Sequence, residues 1–281
     1  QVDGSPHDWL EGRGPRLCLI GAIDDATNNV PYAFFQEHED TIGYMRLLQE
    51  IVLTKGIPAA LYHDRHSVFT VSREQEPSLD EQLNGKVPLT QMGRLLKELD
   101  ITSIAAKSPQ AKGRVERLWG TFQDRLISEL RLARVNTLQE ANRLLKCFLP
   151  EYNQKFAIEA REPQIAYRKL EEDFHAEEYF CFKYPRSVGA DNVVRFRDIR
   201  LQILPAQDRL SYARCRVEVH QRLDGSVAIY YQGKPLPVQP APLDTHSLRK
   251  SKLTKSVSAA PPTRKPCTKP SPNHPWRRPF K

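Results

Sequence analysis

No stretch of the sequence reaches the roughly 18 consecutive apolar residues that a membrane-spanning helix needs, and no signal peptide opens the chain. Only five cysteines occur in 281 residues (Cys18, Cys147, Cys181, Cys215 and Cys267), with no CxxC pair and no Cys/His cluster among them. That scarcity argues against a disulfide framework or a zinc site and leaves buried thiols in a reducing cytosol as the expectation. Acidic residues are missing from residue 246 onward, where ten of the 42 Lys and Arg side chains fall. The residues before it, with 32 basic against 34 acidic side chains, are close to neutral. The net charge of +8 is thus a basic tail on a neutral body. Such a tail suggests a polyanionic partner, nucleic acid before membrane, because no apolar face accompanies the charges.

A hydrophobic content of 40% allows a real core, shared between two modest domains. Leu17 to Ile23 reads as a buried strand, and Val30 to Phe35 as its hairpin partner. Asp24 and Asp25, in the turn between them, read as carboxylates bonded to local backbone and not as a metal pair. Ile42, Met45, Leu48 and Val52 recur at helical period over residues 41–55, with Asp40 or Thr41 as cap. After Pro58, residues 59–62 form a short buried strand that delivers Asp64 at its exit. His63 and His66 flank that Asp and are expected on the surface or against DNA. Residues 72–88 read as a polar loop insertion. Met92, Leu95, Leu96 and Leu99 mark a further helix, residues 101–105 a strand, and residues 138–156 a helix with Ala141, Leu144, Leu145, Phe148 and Tyr152 inward.

Past residue 160 the pattern changes. Residues 161–178 are charged, helical at most, and act as a connector. Five short β runs follow, at 179–182, 192–196, 199–204, 214–220 and 226–231, with a hairpin turn over Leu223 to Ser226. Arg214, Arg216, Glu218 and His220 alternate with Cys215, Val217 and Val219, the pattern of a half-exposed strand. Arg195, Arg197, Arg200, Arg214 and Arg216 form either a phosphate-binding face or a merely solvated one. Residues 241–281 are Pro- and Lys-rich without periodicity and are expected to be disordered. Trp276 lies within them, either as a base-stacking ring or as an incidental one.

The stretch that organises these pieces is Ser108-Pro-Gln-Ala-Lys-Gly-Arg-Val-Glu-Arg117. Ser108 fits an N-cap and Pro109 the first helical position. Val115, Trp119, Phe122 and Leu126 then make one apolar stripe. Glu116 sits just off that stripe, among Lys112, Gly113, Gly120 and Gln123. Each mid-helix glycine costs ~1 kcal/mol relative to alanine, which predicts that something approaches the backbone closely there. A carboxylate beside a lysine and two bare patches suits a metal-bound, phosphate-bearing polymer. The plain alternative is an exposed Glu paired with Arg114 or Arg117.

The string SPQAKGRVER resembles the third catalytic segment of the integrase-core (DDE) transposases, which include those of bacterial insertion sequences and are related to retroviral integrase catalytic domains. Val2-Asp-Gly-Ser5 and Tyr62-His-Asp-Arg-His-Ser67 resemble the two earlier segments, in the right order. The likeness covers roughly residues 1–160. The 52-residue separation of Asp64 and Glu116 resembles that of insertion-sequence enzymes with a longer insertion. The resemblance implies an α/β RNase H-like catalytic domain over 1–160, a mixed sheet with helices. After the 161–178 connector it implies a small all-β SH3-like barrel over 179–240, then the disordered basic tail over 241–281. It implies DNA cleavage and strand transfer with two Mg²⁺ (or Mn²⁺) ions, Asp3 bridging both while Asp64 and Glu116 each hold one. Lys112, Arg114 and Arg117 would meet DNA phosphates, joined by Arg249, Lys250 and Lys252 of the tail. The implied partners are transposon ends and target DNA, with further copies of the chain in the active complex and no membrane. The implied setting is the bacterial cytoplasm, at the nucleoid. Two other readings stay open: an inactive or decayed DNA-binding fragment, and a simple metal-dependent nuclease. Only two residues precede Asp3 and no helix-turn-helix is evident, so a chain truncated within its first strand, with little preference for terminal repeats, is expected.

Overall fold

The structure is a computed structural model, and it describes residues 1–71, 89–106, 112–162, 166–206 and 209–241. The expectations for the 72–88 loop, Ser108, Pro109, Cys267, Trp276 and the tail cations Arg249, Lys250 and Lys252 lie outside these residues.

Residue order alone explains the first sheet. In β2 (Leu17–Ala22) the run LCLIGA is buried on both faces. It pairs antiparallel with β1 (Val2–His7) on one side and β3 (Tyr32–Gln36) on the other. Cys18, Ile20 and Ala22 pack with α1 (Thr41–Lys55) and α2 (Gln91–Glu98), through Tyr44, Met45, Leu48, Met92 and Leu95. Leu17 and Leu19 pack the other way, with Val115, Trp119 and Phe122 of α3 (Gly113–Leu132) and Ala141 and Leu145 of α4 (Leu138–Phe156). A strand reads as continuously apolar when helices cover both of its faces. Side-chain caps fix the helix starts. Asp40 caps α1, Thr90 caps α2, and Thr137 with Glu140 forms a capping box on α4.

Two asparagines of α4 close the outer edge of this sheet. Asn142 accepts from Phe35 N at 2.8 Å and donates to Phe35 O at 2.9 Å. Asn153 does the same for Val30, at 2.8 and 2.9 Å. Each amide replaces one residue of a neighbouring strand and blunts an edge that would otherwise invite another chain. The first strand is held along its whole length, paired from Val2 to His7, with Gln1 O accepting from Ile23 N at 2.9 Å.

Beside β1 lies a second small sheet, β5 (Ala60–His63) parallel to β6 (Thr102–Ala105). The connector differs from the expected helix or coil. Residues Tyr167–Arg168 form a short strand, β7, paired antiparallel with Ile57–Pro58 (β4), and a single-turn helix α5 (Ala176–Tyr179) follows. Tyr179 therefore ends a helix, and the next strand, β8 (Cys181–Ser187), starts two residues later.

The strands beyond it make two open sheets around a core of Val188, Val194, Phe196, Ile203, Val217, Val219 and Ile229. One has the order β13-β12-β11-β8 and the other β14-β10-β9. Their strands are β9 (Val193–Phe196), β10 (Ile199–Ile203), β11 (Arg216–Arg222), β12 (Val227–Tyr231), β13 (Lys234–Leu236) and β14 (Val238–Pro240). No closed barrel is found among the described residues. Three of the four edge strands carry a proline, Pro185, Pro235 and Pro240. A proline has no N–H to extend the ladder, which accounts for edges that stay open.

Candidate active site

Asp3 and Asp64 lie 61 residues apart in sequence, and the structure brings both to one ammonium. Asp3 stands near the start of β1, and Asp64 follows the last residue of β5. Lys112 Nζ is 2.6 Å from Asp3 Oδ1 and 3.6 Å from Asp64 Oδ2. The side chains of Lys112 and Asp3 are 10% and 15% exposed, that of Asp64 39%. Two carboxylates drawn from separate sheets onto one partly buried cation make the strongest concentration of opposite charge around the expected catalytic residues.

Each carboxylate is also held from behind. Trp119 Nε1 donates to Asp3 Oδ2 at 3.1 Å, so both Asp3 oxygens are occupied. Gly21 faces Asp3 across the β1–β2 ladder, and a Cβ there would sit 2.9 Å from the tip of the Trp119 ring and 3.0 Å from Ala33 Cβ. The bare Gly21 is what allows the indole to cross β2 and reach Asp3. Asp64 Oδ1 accepts from His66 N at 3.0 Å, a local turn that leaves Oδ2 facing the lysine.

Glu116 takes a different position. It is exposed in the first turn of α3 and has no ion pair among the described residues. It is not part of the carboxylate pair, and among the described residues no three His, Cys, Asp or Glu side chains cluster as a metal group. Glu116 precedes Trp119, which bonds Asp3, by three positions on α3, the spacing of neighbours along a helix. Among the described residues, a Cβ at Gly113 or Gly120 would meet nothing within 4 Å.

The basic candidates separate. Lys112 is buried and serves the two aspartates. Arg114 is engaged by Asp25 at 2.9 Å and Asn28 at 2.7 Å, and does not pair with Glu116. Arg117 is exposed and has no ion pair among the described residues. Asp24 accepts from Ala26 N at 3.0 Å and Asp25 from the Gln1 side chain at 2.9 Å, so both behave as structural turn carboxylates.

His63 is not a surface residue. It is 1% exposed, donates from Nδ1 to Asp64 O at 2.5 Å, bonds Ser103 Oγ at 2.8 Å through Nε2 and stacks on Phe69 at 4.0 Å. Burial is the main reason its basicity falls below the ordinary value. It lies two residues after the buried Leu61, on the same face of β5, which is why it goes inside. Cys147 departs the other way: Cys18 and Cys181 are buried, but Cys147 is exposed on the outer side of α4. Beneath the pair, Tyr44 donates to Glu39 Oε1 at 2.6 Å. Burial opposes its ionisation first, then the charges of Glu39, Asp3 and Asp64, so all these carboxylates gather around one end of β1.

Sequence reasoning placed Trp119 only in the core stripe and Lys112 only against phosphate. The spacing of seven between them, with Glu116 between, was the available signal for a shared face.

No family model matches the chain. Over 238 residues (84% of this chain and 50% of the relative) it is 34% identical to "Putative transposase y4bF" of Sinorhizobium fredii. Over 156 residues (56% of this chain and 32% of the relative) it is 36% identical to the transposase for insertion sequence IS1202 of Streptococcus pneumoniae. The chain thus spans half the length of the first relative and about a third of the second. Among solved structures, it aligns with a chain of the simian T-cell lymphotropic virus intasome in complex with PP2A regulatory subunit B56 gamma. The TM-score is 0.43 at 14% identity, over 86% of this chain and 78% of that one.

Proposed function

We propose that this chain, an insertion-sequence transposase homologue over most of its length, carries the metal-dependent DNA-cutting and strand-transfer centre of such an enzyme. The observation that carries the reading is the 34% identity over 238 residues, and the pairing of Asp3 with Asp64 supports where the chemistry sits. The core is read as RNase H-like, with the β sheets after residue 179 as a DNA-holding unit.

Two carboxylates around one positive charge fit a divalent cation. Mg²⁺ takes hard oxygen ligands, keeps waters, and needs only one or two carboxylates plus substrate phosphates. Bound there, it would supply charge relief on the attacking and leaving oxygens of a phosphodiester. The protein's part is to hold Asp3 Oδ1 and Asp64 Oδ2 toward the ion, through the Trp119 and His66 bonds behind them. Glu116 is assigned as the third carboxylate, brought in from its exposed position. Arg117 on the same helix end, and the arginines of β8 to β11, are assigned to DNA phosphates. The partners proposed are transposon ends and target DNA, together with further copies of this chain, in the bacterial cytoplasm. No helix among the described residues is long and apolar enough to cross a membrane.

Mg²⁺-dependent nicking of supercoiled plasmid tests the assignment. Glu116→Gln should abolish nicking and leave the melting temperature unchanged, because the side chain is exposed. Nicking at the wild-type rate would remove Glu116 from the centre and favour a two-carboxylate nuclease.

A further inference from the structure

Lys112 poses a problem that the proposed function does not resolve. Family resemblance puts it against DNA, yet it is 8% exposed as a residue and its ammonium lies between Asp3 and Asp64. Two carboxylates and one ammonium leave a net charge of −1 where a divalent cation would be held. A Mg²⁺ ion in addition to the lysine would bring three positive charges against two negative ones, with the ammonium occupying the ligand oxygens. Asp3 Oδ2 is already taken by Trp119, so Oδ1, the oxygen bonded to Lys112, is the one available to an ion. Cation and ammonium therefore compete for one oxygen.

We propose that Lys112 is a tethered counter-ion that keeps the carboxylate pair assembled before metal arrives and must leave Asp3 for metal to bind. This rests on reading Asp3 and Asp64 as the metal site. Two features suit Lys112 to the exchange. It lies immediately before α3, outside the regular helix, and its own side chain makes no capping bond, so it can swing without unwinding a turn. Gly113 follows it, with nothing within 4 Å of its Cβ position among the described residues, and its lack of a side chain leaves the backbone beside Lys112 unencumbered. Displaced from Asp3, the ammonium emerges beside Glu116 and Arg117, where a substrate phosphate would arrive with the metal. The lysine then answers for both observations, buried at rest and on phosphate when loaded. Without metal the same arrangement ties up the catalytic carboxylates.

The test uses the full chain with Mn²⁺ alone as probe, followed by its paramagnetic signal, and Mg²⁺ as competitor. Lys112→Met should bind Mn²⁺ about tenfold more tightly than wild type or more, because the competing charge is gone. It should also melt at a lower temperature without metal and recover on adding Mg²⁺, whereas Lys112→Arg should keep the weak wild-type binding. Wild-type protein gives a second readout that needs no variant to fold. Amine acetylation followed by mass spectrometry should find Lys112 protected without metal and modified once Mg²⁺ is added. Equal Mn²⁺ affinity in wild type and Lys112→Met, or metal-independent acetylation of Lys112, overturns the counter-ion role and leaves the metal site standing. If neither protein binds Mn²⁺, the metal-site reading fails and takes this proposal with it.

Discussion

Charge is handled in opposite ways at the two ends of the described chain. Around β1 the cation Lys112 is buried and shared by Asp3 and Asp64, with Trp119 fixing one carboxylate from behind. On the sheets after residue 179, cations lie outside on aromatic rings. Arg186 is over Tyr184 and Phe196 at 5.8 and 5.6 Å, Arg197 is over Phe196 at 5.3 Å, and Arg209 is over Tyr212 and Tyr231 at 5.0 and 5.1 Å. Arg195 and Arg200 even face each other across β9 and β10, with Asp191, 3.1 Å from Arg195, offsetting the like charges. A buried shared charge fixes geometry, as chemistry at one atom requires. Exposed stacked charges fix little and meet many registers of a polyanion equally well. Substitutions should therefore be severe at the first end and mild at the second.

The largest structural effect is expected at Gly21. Gly21→Ala places a methyl 2.9 Å from the Trp119 ring and 3.0 Å from Ala33 Cβ, so the indole has to move and its bond to Asp3 is lost. Overpacking of this kind costs about 1–3 kcal/mol. Trp119→Phe removes the same bond without the clash. The two changes share one contact, so their effects on melting should be less than additive in the double variant. Additive losses would mean that Gly21 matters for strand packing alone and that Trp119 is not the link to Asp3.

The acid response should be intermediate, and it compares two buried histidines. His63 and His220 stack on Phe69 and Tyr230 at the same 4.0 Å, and both are held below the ordinary value of 6.5 mainly by burial. Lys112 adds to the lowering at His63 and Asp64 opposes it; Lys183 and Arg94 add at His220 and Glu218 opposes. A lowered folded value means that the unfolded chain binds more protons below pH 6.5. Their contribution to stability is thus complete above pH 6.5 and is lost as pH falls from there toward the folded values. The two differ in bonding. Both ring nitrogens of His63 have partners, whereas Nδ1 of His220 has none among the described residues. His220→Phe should flatten the melting profile between pH 5 and 7 at little loss at pH 8. His63→Phe should flatten it too, but cost about 1 kcal/mol at every pH by removing the bonds to Ser103 and the Asp64 carbonyl. An unchanged pH profile in both variants would remove the histidines from the acid response.

Periodicity made the backbone of this structure readable and left its cross-chain polar bonds hidden. The α1 and α4 helices run over the residues their apolar spacing predicts, and the buried run at 17–22 is a strand with helices on both sides. Asp3 and Asp64 were named from motif resemblance, and composition could not have singled them out. What spacing could not supply was which long side chain bonds which distant backbone. Gln91 exchanges two bonds with Lys183 of β8, as Asn142 does with Phe35 of β3 and Asn153 with Val30 ahead of it, and nothing local distinguishes these amides from solvated ones. His220 broke the alternation read from β11, because Tyr230 on the next strand supplies a ring to stack on and α5 lies nearby. The exposed Cys147 has the same origin: α4 covers the sheet with one stripe only, and residue 147 falls outside it.

The smallest change in stability, and the sharpest test of the second region, is expected at Arg186. Its guanidinium, on the exposed end of β8, covers Tyr184 and the buried Phe196 and donates to Pro185 O at 2.9 Å. Arg186→Ala should lower stability by no more than about 1 kcal/mol, the scale of an exposed cation–π contact. If the stacked arginines carry DNA phosphate, the same change removes one released counterion. The slope of log K against log salt should then shrink by about 0.9 on random duplex, measured by fluorescence anisotropy over a salt series. Arg186→Lys separates charge from stacking: it keeps a cation but not the planar group that lies on the rings. A slope restored by Lys and lost in Ala assigns the face to phosphate. A slope unaffected by either leaves these arginines as a solvated surface, and the contrast between the two ends of the chain then reflects packing alone.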